Sequence, residues 1–217
     1  MKKNLILIFS LLLPAAPLRA EDPLNIDTHA LRMSTPTPEE KIAKAEGERR
    51  DMLKAALEKI DALLNKEPGE DAGAPVLNDE DHKVVQAMAD WLYIPTMNTA
   101  FWARLRKARG LISQNQALSG RAPFRRDDED KNDYAYVKDA GDPSAGIYFT
   151  SSYMSASSNC RREVQTHEYF HFIVGAQHFY STKDAEEAVK CPHHLAEFVS
   201  AIATGVTESC SSAASEH

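Results

Sequence analysis

Five residues constrain this chain more than any others: His167-Glu168-Tyr169-Phe170-His171. Positions four apart share one face of an α-helix, so the two imidazoles can meet at one point if the segment is helical. In that arrangement two histidines grip one metal ion, and the Glu between them stands beside it, placed to act on a bound water. Zinc is the expected ion, because imidazole suits it and its catalytic sites keep one open position. Val164, His167, His171 and Val174 fall on one stripe, which predicts histidines facing inward with core side chains. Gly175 is placed to stop the helix. One of Ser155 to Ser158, or Asn159, is expected to cap its start.

A catalytic zinc needs a third protein ligand. His178, Asp184 and Glu197 are the candidates. His178 is preferred, because a short return past a helix-ending glycine requires no further element. His193 and His194 could orient a ligand from behind or meet substrate, but read first as exposed histidines at a helix start. Glu168 is the expected general base, passing a proton from water to a leaving amine. Tyr180, if turned inward, would donate to a developing oxyanion. These roles describe metal-assisted hydrolysis of a peptide bond, in a protein or in peptidoglycan cross-links. The competing reading is a non-catalytic exported metal-binding or inhibitor-like module.

The start of the chain reads as a targeting segment. Lys2 and Lys3 precede the apolar run Leu5 to Leu13, Pro14 ends it, and Leu18-Arg19-Ala20 offers a cleavage site before Glu21. A signal peptide over 1–20 implies a periplasmic or secreted protein, with no membrane contact after cleavage. Its removal takes the formal net charge from -7 to -10. That acidity, without a basic stripe, argues against nucleic acid as a partner. In an oxidising compartment Cys160, Cys191 and Cys210 allow one disulfide and one free thiol. Any of the three pairings is open.

Residues 21–36 carry Pro23 and Pro36 and read as a loose leader. Thr37-Pro38-Glu39-Glu40 forms a capping box with proline at the first helical position. Leu53, Leu57, Ile60 and Leu64 continue that helix as an apolar stripe. Asn78 caps a second helix with Val84, Val85, Met88, Trp91 and Leu92 inward, broken by Pro95. A third is expected from Thr99 to Ala108, with Phe101, Trp102 and Leu105 inward, stopped by Gly110. Ser119 to Asp133 reads as a polar, solvated loop. Tyr134-Ala135-Tyr136-Val137 and Gly146-Ile147-Tyr148-Phe149-Thr150 read as strands joined through Ala140-Gly141-Asp142-Pro143. The expected fold is α+β, mostly helical, with a small antiparallel sheet beside the histidine helix. One domain over 37–205 divides into a helical part (37–110) and a catalytic part (130–205), with a tail over 206–217.

Residues 134 to 203 resemble the deuterolysin or aspzincin family, which includes fungal lysine-specific metalloendopeptidases. That family places a Tyr-Ala-Tyr-Val strand and an Ile-Tyr-Leu strand ahead of its His-Glu-x-x-His helix. Tyr134-Ala135-Tyr136-Val137 and Ile147-Tyr148-Phe149 stand in those places. The family continues with Gly-Thr-x-Asp-x-x-Tyr-Gly. Gly175-Ala176-Gln177-His178-Phe179-Tyr180 matches it in part, with His178 for the Asp and Tyr180 one residue early. Laying Ser181-Thr182-Lys183-Asp184 there instead restores the Asp. It loses the Tyr and the later match of Asp184-Ala185-Glu186-Glu187-Ala188 to Asp-Pro-x-x-Ala. The resemblance implies a zincin-like fold, a zinc cofactor held by His167, His171 and His178, and a protein or peptide substrate. The family's acidic lysine-recognition positions fall on His193 and Ala196.

Overall fold

The computed structural model describes residues 35–69, 73–129, 133–179, 181–205 and Cys210. The stretch read as a signal peptide, the expected leader up to residue 34 and most of the tail lie outside them. Residues 36–217 form one unit. It is α+β, 62% helical, with a small mixed three-stranded sheet. Among the described residues no helix is long and apolar enough to cross a membrane.

Three helices come first. α1 (Pro38–Leu64) starts at Thr37, whose hydroxyl accepts from the Glu40 N–H while the Glu40 carboxylate accepts from the Thr37 N–H. α2 (Asp79–Leu92) has the same reciprocal cap between Asn78 and Asp81. It ends one residue earlier than proline alone would require, because Tyr93 turns left-handed at φ 55°. α3 spans Thr99–Ala117. The expected stop at Gly110 does not occur. Ala108, Ile112 and Asn115 continue the buried face on both sides of it, and that burial outweighs glycine's cost of about 1 kcal/mol.

The sheet follows: β1 (Phe124–Asp127), β2 (Ala135–Val137) and β3 (Ile147–Thr150), in the order β1-β3-β2. β2 runs antiparallel to β3, but β1 runs parallel to it, so the expected antiparallel sheet is mixed. β1 also lies inside the stretch read as a solvated loop. Phe-Arg-Arg-Asp shows no apolar alternation, because this edge strand is mostly exposed. Its contacts come from Phe124, whose ring meets that of Phe149 at 5.5 Å, and from Arg125, whose guanidinium lies 5.9 Å from the Tyr148 ring centroid. At the entry to β3, Gly146 has φ 84°, and a Cβ there would stand 2.5 Å from the Pro123 carbonyl oxygen, so glycine is required.

α4 (Ser151–Ser155), α5 (Ser158–Val174), α6 (Ala185–Ala188) and α7 (Pro192–Thr204) complete the chain. α5 packs against α1 and α7 and touches β2. It is the wall between two apolar clusters. Phe170 belongs to the larger one, with α1, α2, α3 and α7. Tyr169 and Phe172 belong to the smaller one, with Ile42, Ile147, Phe149 and Tyr153. A disulfide joins Cys160 at the start of α5 to Cys210, and Cys191 is free and buried.

Candidate metal centre

α5 begins where Ser157 accepts from the Cys160 N–H at 3.1 Å. It ends because Gly175 takes φ 94°, open to glycine but not to a side chain, and donates its N–H to the His171 carbonyl at 3.1 Å. The chain then turns back, and His178 returns over His167.

The three imidazoles converge. His178 Nε2 lies 3.0 Å from His167 Nε2, and His171 Nε2 lies 3.1 Å from the same atom. The three ligand atoms all fall within 4.8 Å of one another. The His167 and His178 rings stack at an interplanar angle of 16°, and His171 meets both edge-on. His171 Nδ1 donates to the Gly175 carbonyl at 2.9 Å, which fixes its tautomer and leaves Nε2 as a lone pair. A ring N–H of His178 donates to the Ala176 carbonyl.

Burial holds all three imidazoles neutral. It pushes His167 well below the usual histidine range, reinforced by the neighbouring His171, His178 and His193. It takes His171 down to about 4, against the opposing Gly175 hydrogen bond. It also lowers His178. One proton on His167 can satisfy only one of its two neighbours, whereas a divalent cation satisfies every lone pair. Tetrahedral zinc, with nitrogens at about 2.0–2.1 Å, sets N···N separations near about 3.4 Å. Two of the three separations, 3.0 and 3.1 Å, are close to that and the third falls within 4.8 Å, so the donor set fits such an ion once the rings adjust to it. His178 is exposed, so the cluster is reached from solvent.

Glu168 follows His167 and is buried, and its Oε2 finds no hydrogen-bond partner. Burial, and then the charge of Asp133, push its carboxyl up to about 8. Asp133 is held near by its backbone, whose carbonyl accepts from the Thr150 hydroxyl at 2.6 Å. A cation beside the histidines would oppose that rise.

The other sequence candidates fall elsewhere. Asp184 caps α6, its carboxylate accepting from the Glu186 and Glu187 N–H groups at 2.7 and 3.1 Å. Glu197 is buried on α7 against Glu163. Neither joins the three histidines. Tyr180 lies outside the described residues.

The expectation of two exposed histidines at the start of α7 is corrected. His194 is 2% exposed, because α7's first turn docks on the end of α2, and its ring lies 5.5 Å from that of Tyr93. Its Nε2 donates to the Phe179 carbonyl at 3.1 Å. His193 is half-buried, with its ring 6.4 Å from that of His167. Sequence reasoning also passed over Cys191, whose Sγ accepts from the Phe179 N–H at 3.3 Å, and Asp133. The Cys-Pro-His-His opening of α7 was the signal for the first of these. Nothing in the sequence pointed to Asp133. The chain matches no model of a known protein family, no curated protein and no solved structure.

Proposed function

We propose that this chain is an exported zinc-dependent metallopeptidase of zincin-like, aspzincin-related type. One observation carries the reading: three imidazole nitrogens converge, and the residue that follows His167 is a buried Glu168 with an orphaned carboxyl oxygen. His167, His171 and His178 hold the ion. Zinc bound there supplies a Lewis acid and brings a water to a pKa of about 7. Glu168 would serve as the general base toward a water held there and would return the proton to the departing amine nitrogen, so its orphaned oxygen would gain a donor. Among the described residues β2 has no strand on its outer edge, and it lies against α5. An extended peptide can add to that edge through main-chain hydrogen bonds. Protein and peptidoglycan peptides are both substrates of this class. The apolar start of the chain supports export to the periplasm or medium.

The test compares wild type with Glu168→Gln for zinc content and for cleavage of a peptide library that includes peptidoglycan stem peptides. We expect one zinc in each, with cleavage reduced at least about 10²-fold in the variant. A gently purified wild type without metal sinks the reading. Wild type that holds zinc but cleaves nothing points instead to a metal-binding module without catalysis.

A further inference from the structure

Two of the three histidines ride on α5, which is packed on both sides. The third does not. His178 lies in the loop after Gly175 and is exposed; its ring stacks on His167 and bonds the Ala176 carbonyl, but no helix carries its backbone to the site. The residue after it is held firmly. The Phe179 N–H donates to Cys191 Sγ at 3.3 Å, and the Phe179 carbonyl accepts from His194 Nε2 at 3.1 Å. That N–H belongs to the His178–Phe179 peptide and that carbonyl to the next one. Because each peptide is planar, two successive planes are fixed. Both of these grips come from the start of α7; the Thr182 N–H also donates to the Phe179 carbonyl at 3.1 Å, from within the loop. Cys191 stands at the N-cap position, yet its side chain makes no cap hydrogen bond. His194 cannot swing away, because Tyr93 and Trp91 flank its buried ring, at 5.5 and 6.4 Å between centroids.

We propose that His194, assisted by Cys191, is a positioning residue for the metal centre: it clamps the Phe179 backbone and so directs His178 at the point where His167 and His171 converge. It touches neither ion nor substrate. The inference rests on reading the three histidines as metal ligands. Groups that orient a ligand from behind contribute 10- to 100-fold in metal affinity, and that is the scale expected here.

The experiment measures zinc affinity of the full-length, disulfide-bonded protein by chelator competition. His194→Phe should weaken binding about 10- to 100-fold. His194→Gln should restore most of it, since an amide N–H can still donate to the Phe179 carbonyl. The double variant His178→Ala/His194→Phe should bind no more weakly than His178→Ala, because the clamp acts only through His178. Unchanged affinity in His194→Phe, or losses that multiply in the double variant, overturns the proposal. If His194→Phe fails to fold, Cys191→Ala takes its place in the same cycle, with the same two results deciding. Wild type that binds no zinc overturns the metal reading itself. Wild type that binds zinc as tightly as a folded His194→Phe overturns only the clamp.

Discussion

Arg49 is fully buried, although arginine is almost never buried without partners. Its guanidinium donates to both Glu46 carboxylate oxygens, at 2.8 and 2.9 Å, and to the Ser119 hydroxyl at 2.7 Å. It also bonds Asn115 and lies 3.8 Å from the Tyr169 ring centroid. Asn115 in turn donates to the Thr166 carbonyl at 3.1 Å. The network therefore ends on Thr166 and Tyr169, which flank His167 and Glu168. Arg49→Met strands Glu46 and should cost about 3–5 kcal/mol in urea unfolding. Lys54→Ala removes an ion pair whose two side chains are 70% and 68% exposed, and should change stability by no more than about 0.5 kcal/mol. Equal effects would show that the buried network contributes nothing special.

At the scale of elements, two glycines show how far sequence alone can be read. Gly175 was legible, because it follows an apolar-periodic helix and nothing beyond it resumes the pattern. Gly110 was not, because the contacts that carry α3 past it come from α1 and α5, far away in sequence. A Cβ at Gly110 would meet nothing within 4 Å, so Gly110→Ala should raise stability by about 0.5–1 kcal/mol on thermal unfolding. β1 was illegible for the opposite reason: only one of its two edges is paired, and its side chains carry no burial pattern. The histidine pair was legible from spacing, whereas the clamp was not: Cys191 and His194 stand in view, but the Phe179 backbone they hold is reached only in the fold.

Between α5 and α7, Glu163 and Glu197 lie against one another as buried carboxyls, and neither Glu197 oxygen has a hydrogen-bond partner. Two buried carboxylates side by side repel, which favours keeping a proton on the pair. Burial, and then the Glu197 charge, push the Glu163 carboxyl up to about 9, while an unfolded glutamate titrates near about 4.3. The folded state thus holds a proton that the unfolded state releases between those values. Its stabilising contribution is complete below about 4.3 and disappears as the pH climbs through about 9. Urea unfolding at a series of pH values should show this decline, and Glu163→Gln should flatten it, because the amide does not titrate. An unchanged slope in the variant would rule out this pair as the source.

At the scale of the molecule, the disulfide closes a sequence separation of 50 residues, which contain the histidine helix, the His178 loop and α7. In the chain-entropy picture a loop of that size contributes up to about 4 kcal/mol, acting on the unfolded chain. Reduction, or Cys160→Ser, should lower the urea midpoint accordingly, within about 2–4 kcal/mol.

The burial of Cys191 has a kinetic consequence. Three thiols permit three pairings, and two of them use Cys191. Once α7 has docked, that thiol is 0% exposed and receives the Phe179 N–H, so no oxidant reaches it. Folding ahead of oxidation therefore acts as proofreading: the native fold withholds one thiol and lets only the correct bond form. Oxidation ahead of folding traps isomers in which α7 and the His178 loop cannot meet. An oxidised sample should accordingly show no thiol accessible to a water-soluble thiol reagent while native, and one per chain when denatured.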